Sequence, residues 1–296
     1  MTHAFLSQTF IAASQKLDQA CDWIEALGIQ YSPTRLGRYK ALFSSLAKHQ
    51  SSNSLDGFFE EYTRGALFNA AHEAAQVVRI YEGLVDQTDP QLVPRVREAL
   101  RGHELFILDH EDRSGRDFTF ELAIASKFAR AGLPVNFGHR ADLQTRYQEF
   151  EFFVECKRLK SLRKIPRRIK NGMNQLHTRY VNSPNPRLAR GLLLLATEKI
   201  ENPDLGYIKA DTSELLGEAA FRRNRRFIEQ YRSHWQTGED PRTLGAAVVL
   251  DAPGVVGQTE MLVTCHEVTM NNAVPMHSPD YALLLQIAHA VFPKRT

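Results

Sequence analysis

Residues 150–157 limit what this chain can fold into more than any other segment, because their side chains alternate between two chemically different faces. In a β-strand successive side chains point to opposite sides, so every second residue shares a face. One face is wholly apolar and consists of Phe150, Phe152, Val154 and Cys156. A strand with one solid apolar face belongs inside a layered domain, so its other face carries Glu155 and Lys157 into the opposite layer.

Glu155 and Lys157 can be explained without any chemistry. Burying either charge costs several kcal/mol unless the charge is paired or bound to a metal ion. An ion pair on the strand face would satisfy both residues, and so would simple exposure of that half of the strand. The Glu-x-Lys spacing is common in proteins, so it does not indicate a function by itself.

Two further carboxylates favour a functional interpretation. Asp142 lies upstream of Glu155, with residues 143–154 between them, on a predicted strand that would form a hairpin with 150–159. Glu121 lies on a predicted helix, and the residues three, four and seven positions after it are Ile124, Ala125 and Phe128. Glu121 is therefore predicted on the inward, apolar face of its helix, where a carboxylate is costly without a partner.

The elements around these residues are predicted in the order α-β-β-β-α-β. Periodicity and capping residues place them at 117–131, 133–137, 141–147, 150–159, 165–181 and 191–196. Downstream we predict a helix at 213–235, strands at 245–250 and 261–269, and a closing helix at 281–291. The sequence therefore predicts an α/β fold for this part of the chain.

Residues 1 to about 100 have a different character, because their apolar residues recur at helical spacing throughout. They contain no cluster of residues typical of a catalytic site. The polar segment 110–116 contains Gly115 and is predicted as a linker. We predict a helical accessory or targeting region over residues 1–110 and an α/β domain over 111–296. The alternative is that the helices wrap the domain that follows.

Basic charge is concentrated beside the predicted strand 150–159. Residues 157–170 include eight Lys or Arg and no acidic residue, so the net charge of +3 leaves −5 on the rest of the chain. Such a patch is typical of an anion-binding surface, with a solvated helix face as the alternative. The candidates for nucleic-acid binding are Arg158, Lys160, Arg163, Lys164, Arg167, Arg168, Gln175 and Arg179.

Glu121, Asp142 and the run Glu155-Cys156-Lys157, in α-β-β-β-α-β order, resemble the PD-(D/E)XK nuclease superfamily. This superfamily includes restriction endonucleases, Holliday-junction resolvases and lambda-exonuclease-like enzymes, and the resemblance covers residues of about 117 to 198. It implies a restriction-endonuclease-like core, in which helices flank a mixed central sheet. It also implies a catalytic set in which Glu121, Asp142 and Glu155 bind Mg²⁺ or Mn²⁺ and Lys157 positions or activates the attacking water.

The chain departs from the superfamily pattern at two places. Residue 141 is Ala where the motif has Pro, and Gln175 is followed by Arg179, one position before Tyr180. Some relatives carry Gln with Tyr four residues later, which is not the spacing found here. The chemistry of the residues agrees with the resemblance, since gathered carboxylates repel one another and a hard cation such as Mg²⁺ offsets that repulsion.

Other features narrow the class of protein. The three cysteines are widely scattered, which argues against a zinc ribbon or a disulfide framework and fits a reducing cytosol. The longest apolar run is far shorter than the roughly 20 residues of a membrane span, and no basic N-terminal segment indicates a signal peptide. No GxxxxGK[ST] motif indicates an ATPase.

We therefore expect a cytoplasmic, Mg²⁺- or Mn²⁺-dependent nuclease acting on nucleic acid, on DNA more than RNA, in restriction, repair, recombination or defence against mobile DNA. We expect no membrane partner, and a homodimer or partner-protein contact would use the helical N-terminal region. Two other classes stay open. One is an inactive nuclease fold that binds or scaffolds nucleic acid, and the other is a metal-independent interaction protein whose helical N-terminus is the working part.

Overall fold

The computed structural model describes residues 10–52, 55–109, 115–138, 141–236, 240–257 and 261–293. Within these ranges the chain forms a mixed α/β structure in which helices flank a mixed sheet. No helix in the described ranges has the length and apolar character that a membrane crossing requires. The predicted linker at 110–116 lies largely outside them, and Gly115 is already helical.

The first third of the described chain is helical, as predicted. Its helices are α1 (Phe10–Ala26), α2 (Arg35–Ser51), α3 (Leu55–Glu61), α4 (Arg64–Leu84) and α5 (Leu92–Ala99). Thr63 caps α4, because its side-chain oxygen accepts a hydrogen bond from the backbone N–H of Ala66. A short 3₁₀ turn at Phe106–Leu108 follows α5.

The central elements follow the predicted order, with one difference. They are α6 (Gly115–Arg130), β1 (Leu143–Tyr147), β2 (Phe150–Arg158), α7 (Ile165–Val181) and β3 (Ala189–Ala196). The strand predicted at 133–137 is present only as an isolated bridge between Asn136 and Gln144. Pro134 has no backbone N–H to donate to a ladder, which weakens pairing in this short segment.

The last third completes the sheet. Its elements are α8 (Glu198–Glu201), β4 (Ile208–Ala210), α9 (Ser213–Tyr231), α10 (Ser233–Gln236), β5 (Thr243–Val256), β6 (Met261–Asn272) and α11 (Pro279–Val291). The sheet order is β1-β2-β3-β5-β4, and β6 also pairs with β5. β1 and β2 are antiparallel, β2, β3 and β5 are parallel, and β6 runs antiparallel to β5.

The two faces of the sheet have different neighbours, as the alternation in β2 predicts. Phe152, Val154 and Cys156 lie in an apolar cluster that also contains residues of α1, α2, α4, α5 and α6. Phe153, on the opposite face, packs with residues of α7, α9 and α10. The N-terminal helices and the sheet thus share one continuous core, while α7 covers the face that carries Glu155 and Lys157.

Buried ion pairs also connect the N-terminal helices to the rest of the molecule. Arg79 of α4 binds Asp251 of β5, with an Nη2–Oδ2 distance of 3.1 Å. Glu73 of α4 lies between two guanidinium groups, 2.5 Å from Nε of Arg116 and 3.4 Å from Nη2 of Arg35. Each of these side chains is largely shielded from solvent, so the charges are neutralised within the fold.

Candidate active site

Asp142, Glu155 and Lys157 converge at one end of the β1–β2 hairpin. Asp142 directly precedes β1, and the register pairs the next residue, Leu143, with Val154. Oδ2 of Asp142 accepts a hydrogen bond of 2.7 Å from the backbone N–H of Cys156. Nζ of Lys157 lies 3.4 Å from this same oxygen and 3.2 Å from Oε2 of Glu155. One ammonium group therefore contacts both carboxylates.

Glu155 is fully buried, and each of its oxygens contacts a cation. Oε2 contacts Lys157, and Oε1 accepts a hydrogen bond of 3.2 Å from Nε of Arg179. Burial and the charge of Asp142 raise the pKa of Glu155 to about 7, although Lys157 and Arg179 partly offset this. Burial opposes the charged form of Lys157, but Asp142 and Glu155 outweigh it and raise the pKa of this lysine.

Gly172 allows α7 to pass close over Lys157. A Cβ atom at position 172 would lie 2.5 Å from Cδ1 of Leu193 and 3.5 Å from Cγ of Lys157. Leu193 is fully buried, so it has little space to move aside. The absence of a side chain at residue 172 thus lets the aliphatic part of Lys157 lie between β2 and α7.

Glu121 of α6 lies on the wall of the same cleft. Its Oε2 is 2.5 Å from Nη1 of Arg95, a residue of α5. Burial and the charge of Asp142 raise the pKa of Glu121 to about 8, and Arg95 and Lys157 oppose this rise. Glu121 therefore lies within electrostatic range of Asp142, as the sequence predicts, but its closest charged partner is a residue that the sequence did not identify.

The cleft has a volume of about 470 Å³ and runs between α6 and α7. Acidic and basic side chains and carboxamides share its surface. Its lining consists of Asp117, Glu121, Asp142, Cys156, Lys157, Arg158, Arg168, Asn171, Asn174 and Gln175. Glu155 is not among them, because it lies beneath Lys157 with no exposed surface.

The residues predicted to bind nucleic acid, taken together with Lys170 of the same basic run, fall into three groups. Arg163, Lys164, Arg167 and Lys170 are exposed on and beside the first turns of α7. Arg168 and Gln175 face the cleft, and Arg179 binds Glu155. Arg158 and Lys160 are shielded and bind carboxylates. The partners of Arg158 are Asp109, Asp117 and Glu198, and those of Lys160 are Asp109 and Asp117. We leave Arg158 and Lys160 out of the proposed nucleic-acid surface, since their charges are neutralised internally.

Four residues of the cleft region were not among the site residues predicted from the sequence. Asp117 stands one helical turn before Glu121, so that spacing could have identified it. Asn171 and Asn174 follow Arg168 at helical spacing on the same face of α7, which is a weaker signal. Arg95 has no local signal, because it belongs to a helix whose packing partner cannot be read from periodicity.

The donor set suits a hard divalent cation. Among the described residues, no three His, Cys, Asp or Glu side chains are close enough together to hold a metal ion. Asp142 and Glu155 nevertheless face one common cation, the Lys157 ammonium. Mg²⁺ usually takes only one or two protein carboxylates, together with waters and substrate phosphate. Asp142 and Glu155, with Glu121 nearby, therefore fit Mg²⁺ or Mn²⁺ by number and by chemistry.

Comparison with protein-family models, with characterised proteins and with solved structures finds no match for this chain. Any functional assignment therefore depends on the residues of the cleft and on their geometry.

Proposed function

We propose that this chain is a metal-dependent nuclease that hydrolyses phosphodiester bonds, in DNA more than in RNA, on a restriction-endonuclease-like core. One observation supports this most strongly. The Lys157 ammonium lies 3.4 Å from Oδ2 of Asp142 and 3.2 Å from Oε2 of Glu155, beside a cleft that Glu121 also lines. The element order α6-β1-β2-α7-β3 agrees with the resemblance, apart from the missing strand at 133–137.

In this proposal Asp142 and Glu155 would bind the metal ion, and Glu121 would help to hold it through water. When bound, Mg²⁺ or Mn²⁺ would polarise the phosphoryl oxygen and lower the pKa of its water. The Lys157 side chain is 11% exposed and its raised pKa keeps it charged at neutral pH. Its ammonium can therefore stabilise the negative charge that develops on the phosphoryl group during hydrolysis.

Residues of α7 and of the turn just before it would contact the substrate. The exposed Arg163, Lys164, Arg167 and Lys170 can bind backbone phosphates, which supplies affinity without sequence preference. Arg168 and Gln175 extend this surface into the cleft. A strand bound along α7 would thus pass from the exposed basic residues to Lys157.

A second candidate function also has an observation in its favour. Both oxygens of Glu155 are already bound by cations of the protein itself, Lys157 and Arg179. Such a site is electrostatically satisfied without a metal ion. The alternative is therefore an inactive nuclease fold that binds or scaffolds nucleic acid through the same basic surface.

Cleavage assays with matched variants separate these functions. The full-length chain is incubated with plasmid, linear duplex and single-stranded DNA, and with RNA, with and without Mg²⁺ or Mn²⁺. We expect metal-dependent cleavage that is lost in Asp142→Asn and kept in Asp211→Asn, a matched change at an exposed aspartate. Equal cleavage by wild type and Asp142→Asn would place the active site elsewhere, and binding without cleavage by wild type would favour the second function.

A further inference from the structure

Arg95 connects the N-terminal helices to the cleft. It lies on α5, and its Nη1 contacts Oε2 of Glu121 at 2.5 Å. Its other terminal nitrogen, Nη2, lies 3.4 Å from the backbone oxygen of Ala141 and 3.5 Å from that of Phe137. The guanidinium also lies over the Phe137 ring, 5.3 Å from its centre. The Arg95 side chain therefore contacts Glu121 of α6 and also two residues that precede Asp142, Phe137 and Ala141.

A second residue from the same region holds this segment. Oδ2 of Asp89, in the connection between α4 and α5, accepts a hydrogen bond of 2.7 Å from the backbone N–H of Phe137. Its Oδ1 accepts a hydrogen bond of 2.8 Å from the N–H of Gln91, which fixes the orientation of the carboxylate. The backbone N–H of Phe137 therefore donates to Asp89, and the backbone oxygen of Phe137 accepts from Arg95.

These contacts matter for the site because of where they lie. Ala141 directly precedes Asp142, and Asp142 in turn accepts the hydrogen bond from the N–H of Cys156. The guanidinium is a rigid planar fork, so binding Glu121 through one nitrogen fixes the direction of the other. Arg95 thereby relates the position of Glu121 on α6 to the position of Asp142 at the start of β1.

We propose that Arg95 is a positioning residue, which sets the placement of Glu121 relative to Asp142 for the proposed hydrolysis. It touches neither substrate nor metal and acts only through these two carboxylates. The inference rests on the proposed nuclease function. It adds that the helical N-terminal region supplies a part of the site, through Arg95 and Asp89.

Three variants test the role of Arg95. Arg95→Ala removes all its contacts, Arg95→Lys keeps the charge but lacks the fork, and Arg97→Ala is the control at an exposed arginine on the same helix. Because misplacement of catalytic groups by about 1 Å can lower a rate by about 10²-fold, we expect kcat of Arg95→Ala to fall by roughly 10- to 100-fold. KM should change little, Arg95→Lys should recover part of kcat, and Arg97→Ala should match wild type.

Amide hydrogen exchange gives a measurement that does not depend on activity. The N–H of Cys156 is bound by the Asp142 side chain, so a displaced Asp142 should expose it to exchange. We expect faster exchange at Cys156 in Arg95→Ala and intermediate exchange in Arg95→Lys, with β3 and β5 unchanged. Arg95→Lys alone decides the question if Arg95→Ala does not fold.

The outcomes separate the two proposals. Wild-type kcat together with wild-type exchange at Cys156 in the Arg95 variants would overturn the positioning role. A general increase of exchange across β3 and β5 would also overturn it, since Arg95 would then only stabilise the fold. A wild-type protein that cleaves no nucleic acid would refute the nuclease function, and exchange at Cys156 would still decide the role of Arg95.

Discussion

Lys157 is neutralised by the same carboxylates that the proposed function assigns to a metal ion. Replacing it with Met keeps much of the apolar stem but removes the ammonium from Asp142 and Glu155. We expect cleavage to fall by about 10²- to 10³-fold, because a charge stabiliser of the transition state is lost. Metal affinity should stay the same or rise, since a cation no longer competes for the two carboxylates.

Lys48→Met is the control for this prediction, because Lys48 is an exposed lysine on α2, away from the cleft and from the proposed nucleic-acid surface. The measurement combines kcat with calorimetric titration of Mn²⁺ into each variant. Unchanged cleavage by Lys157→Met would mean that Lys157 takes no part in the chemistry.

The convergence of Asp142, Glu155 and Lys157 could be predicted from the sequence, but their surroundings could not. Alternation in β2 puts Glu155 and Lys157 on one face, and the short connection to β1 brings Asp142 beside them. Arg179 and Arg95 were not identified as partners of the carboxylates, because each lies on a helix whose orientation over the sheet depends on tertiary packing. The sequence therefore indicates which carboxylates gather beside Lys157, but not which arginines also contact them.

At the scale of the element, α7 depends on Gly172. A glycine within an ordinary helix costs about 1 kcal/mol relative to alanine, so Gly→Ala normally stabilises. At residue 172 the added Cβ would overlap Leu193 at 2.5 Å and approach Lys157. Overpacking of this kind costs about 1–3 kcal/mol, so we expect Gly172→Ala to lower the free energy of unfolding by about 1 kcal/mol and to reduce cleavage.

Gly65 of α4 provides the comparison for Gly172. A Cβ at residue 65 would have its nearest neighbour at 3.9 Å, so Gly65→Ala should be neutral or slightly stabilising. Urea denaturation of both variants, followed by circular dichroism, measures the difference. If Gly172→Ala is as stable as Gly65→Ala, α7 does not need its close approach to β3.

The exposed basic residues on and just before the first turns of α7 give a prediction about salt. Replacing Arg163, Lys164, Arg167 and Lys170 with Ala should flatten the dependence of nucleic-acid affinity on salt. The slope of log K against log salt is negative, and each lost phosphate contact lowers its magnitude by about 0.9 on duplex DNA. Titrations between about 50 and 200 mM salt measure this slope.

Arg222 and Arg225 of α9 form the matched control, since each already binds a glutamate one turn away. Their replacement with Ala should leave the slope unchanged. An unchanged slope in the α7 variant would remove that segment from the binding surface.

Element bounds followed the sequence where periodicity was strong. The predicted bounds of α7, 165–181, agree with the structure, because its apolar stripe is unbroken. The sequence predicts that β5 ends at residue 250, before Pro253 and Gly254, which are residue types common in turns. The strand continues to Val256 because β6 pairs along its whole length. Pairing with β6 therefore extends β5 through Pro253 and Gly254, although these two residue types favour a turn when only the local sequence is considered.

At the scale of the whole molecule, Glu73 makes stability depend on pH. Burial acts to raise its pKa, but Arg116 and Arg35 outweigh this and lower the pKa from 4.5 to about 2. A carboxyl whose pKa is lower in the folded than in the unfolded protein stabilises the fold at any pH above its unfolded-state pKa. This stabilisation is lost as the pH falls through its folded-state pKa. We expect a loss of about 3 kcal/mol between pH 4.5 and pH 2 from Glu73 alone.

Glu73→Gln isolates this contribution. The variant should be less stable than wild type at pH 7, because Arg35 and Arg116 stay buried without their partner. The difference between the two proteins should shrink as the pH falls from 4.5 to 2. Denaturation curves at several pH values measure it, and a constant difference would show that Glu73 does not titrate with the fold.

The contacts between the N-terminal helices and the sheet were less predictable from the sequence than the helices and strands themselves. Periodicity predicts the helices of residues 1–100, but the partners of their buried charges lie elsewhere in the chain. Arg79 binds Asp251, which lies 172 positions further along the chain, and no local sequence pattern predicts that pairing. The boundary at residue 110 stays a prediction, although one apolar cluster extends from α1 to the sheet.

The pairing of β5 has a consequence for the order in which the chain folds. β5 pairs with β6 from Gly245 to Val256, with β3 from Thr243 to Val249 and with β4 from Gly254 to Val256. β5 and β6 are consecutive in the chain, so they can meet after closing a short loop, whereas β3 must close a longer one at greater entropic cost. We expect the β5–β6 hairpin to be structured in the transition state. Changes such as Ala247→Gly should then slow folding, while changes in β1 should mainly speed unfolding.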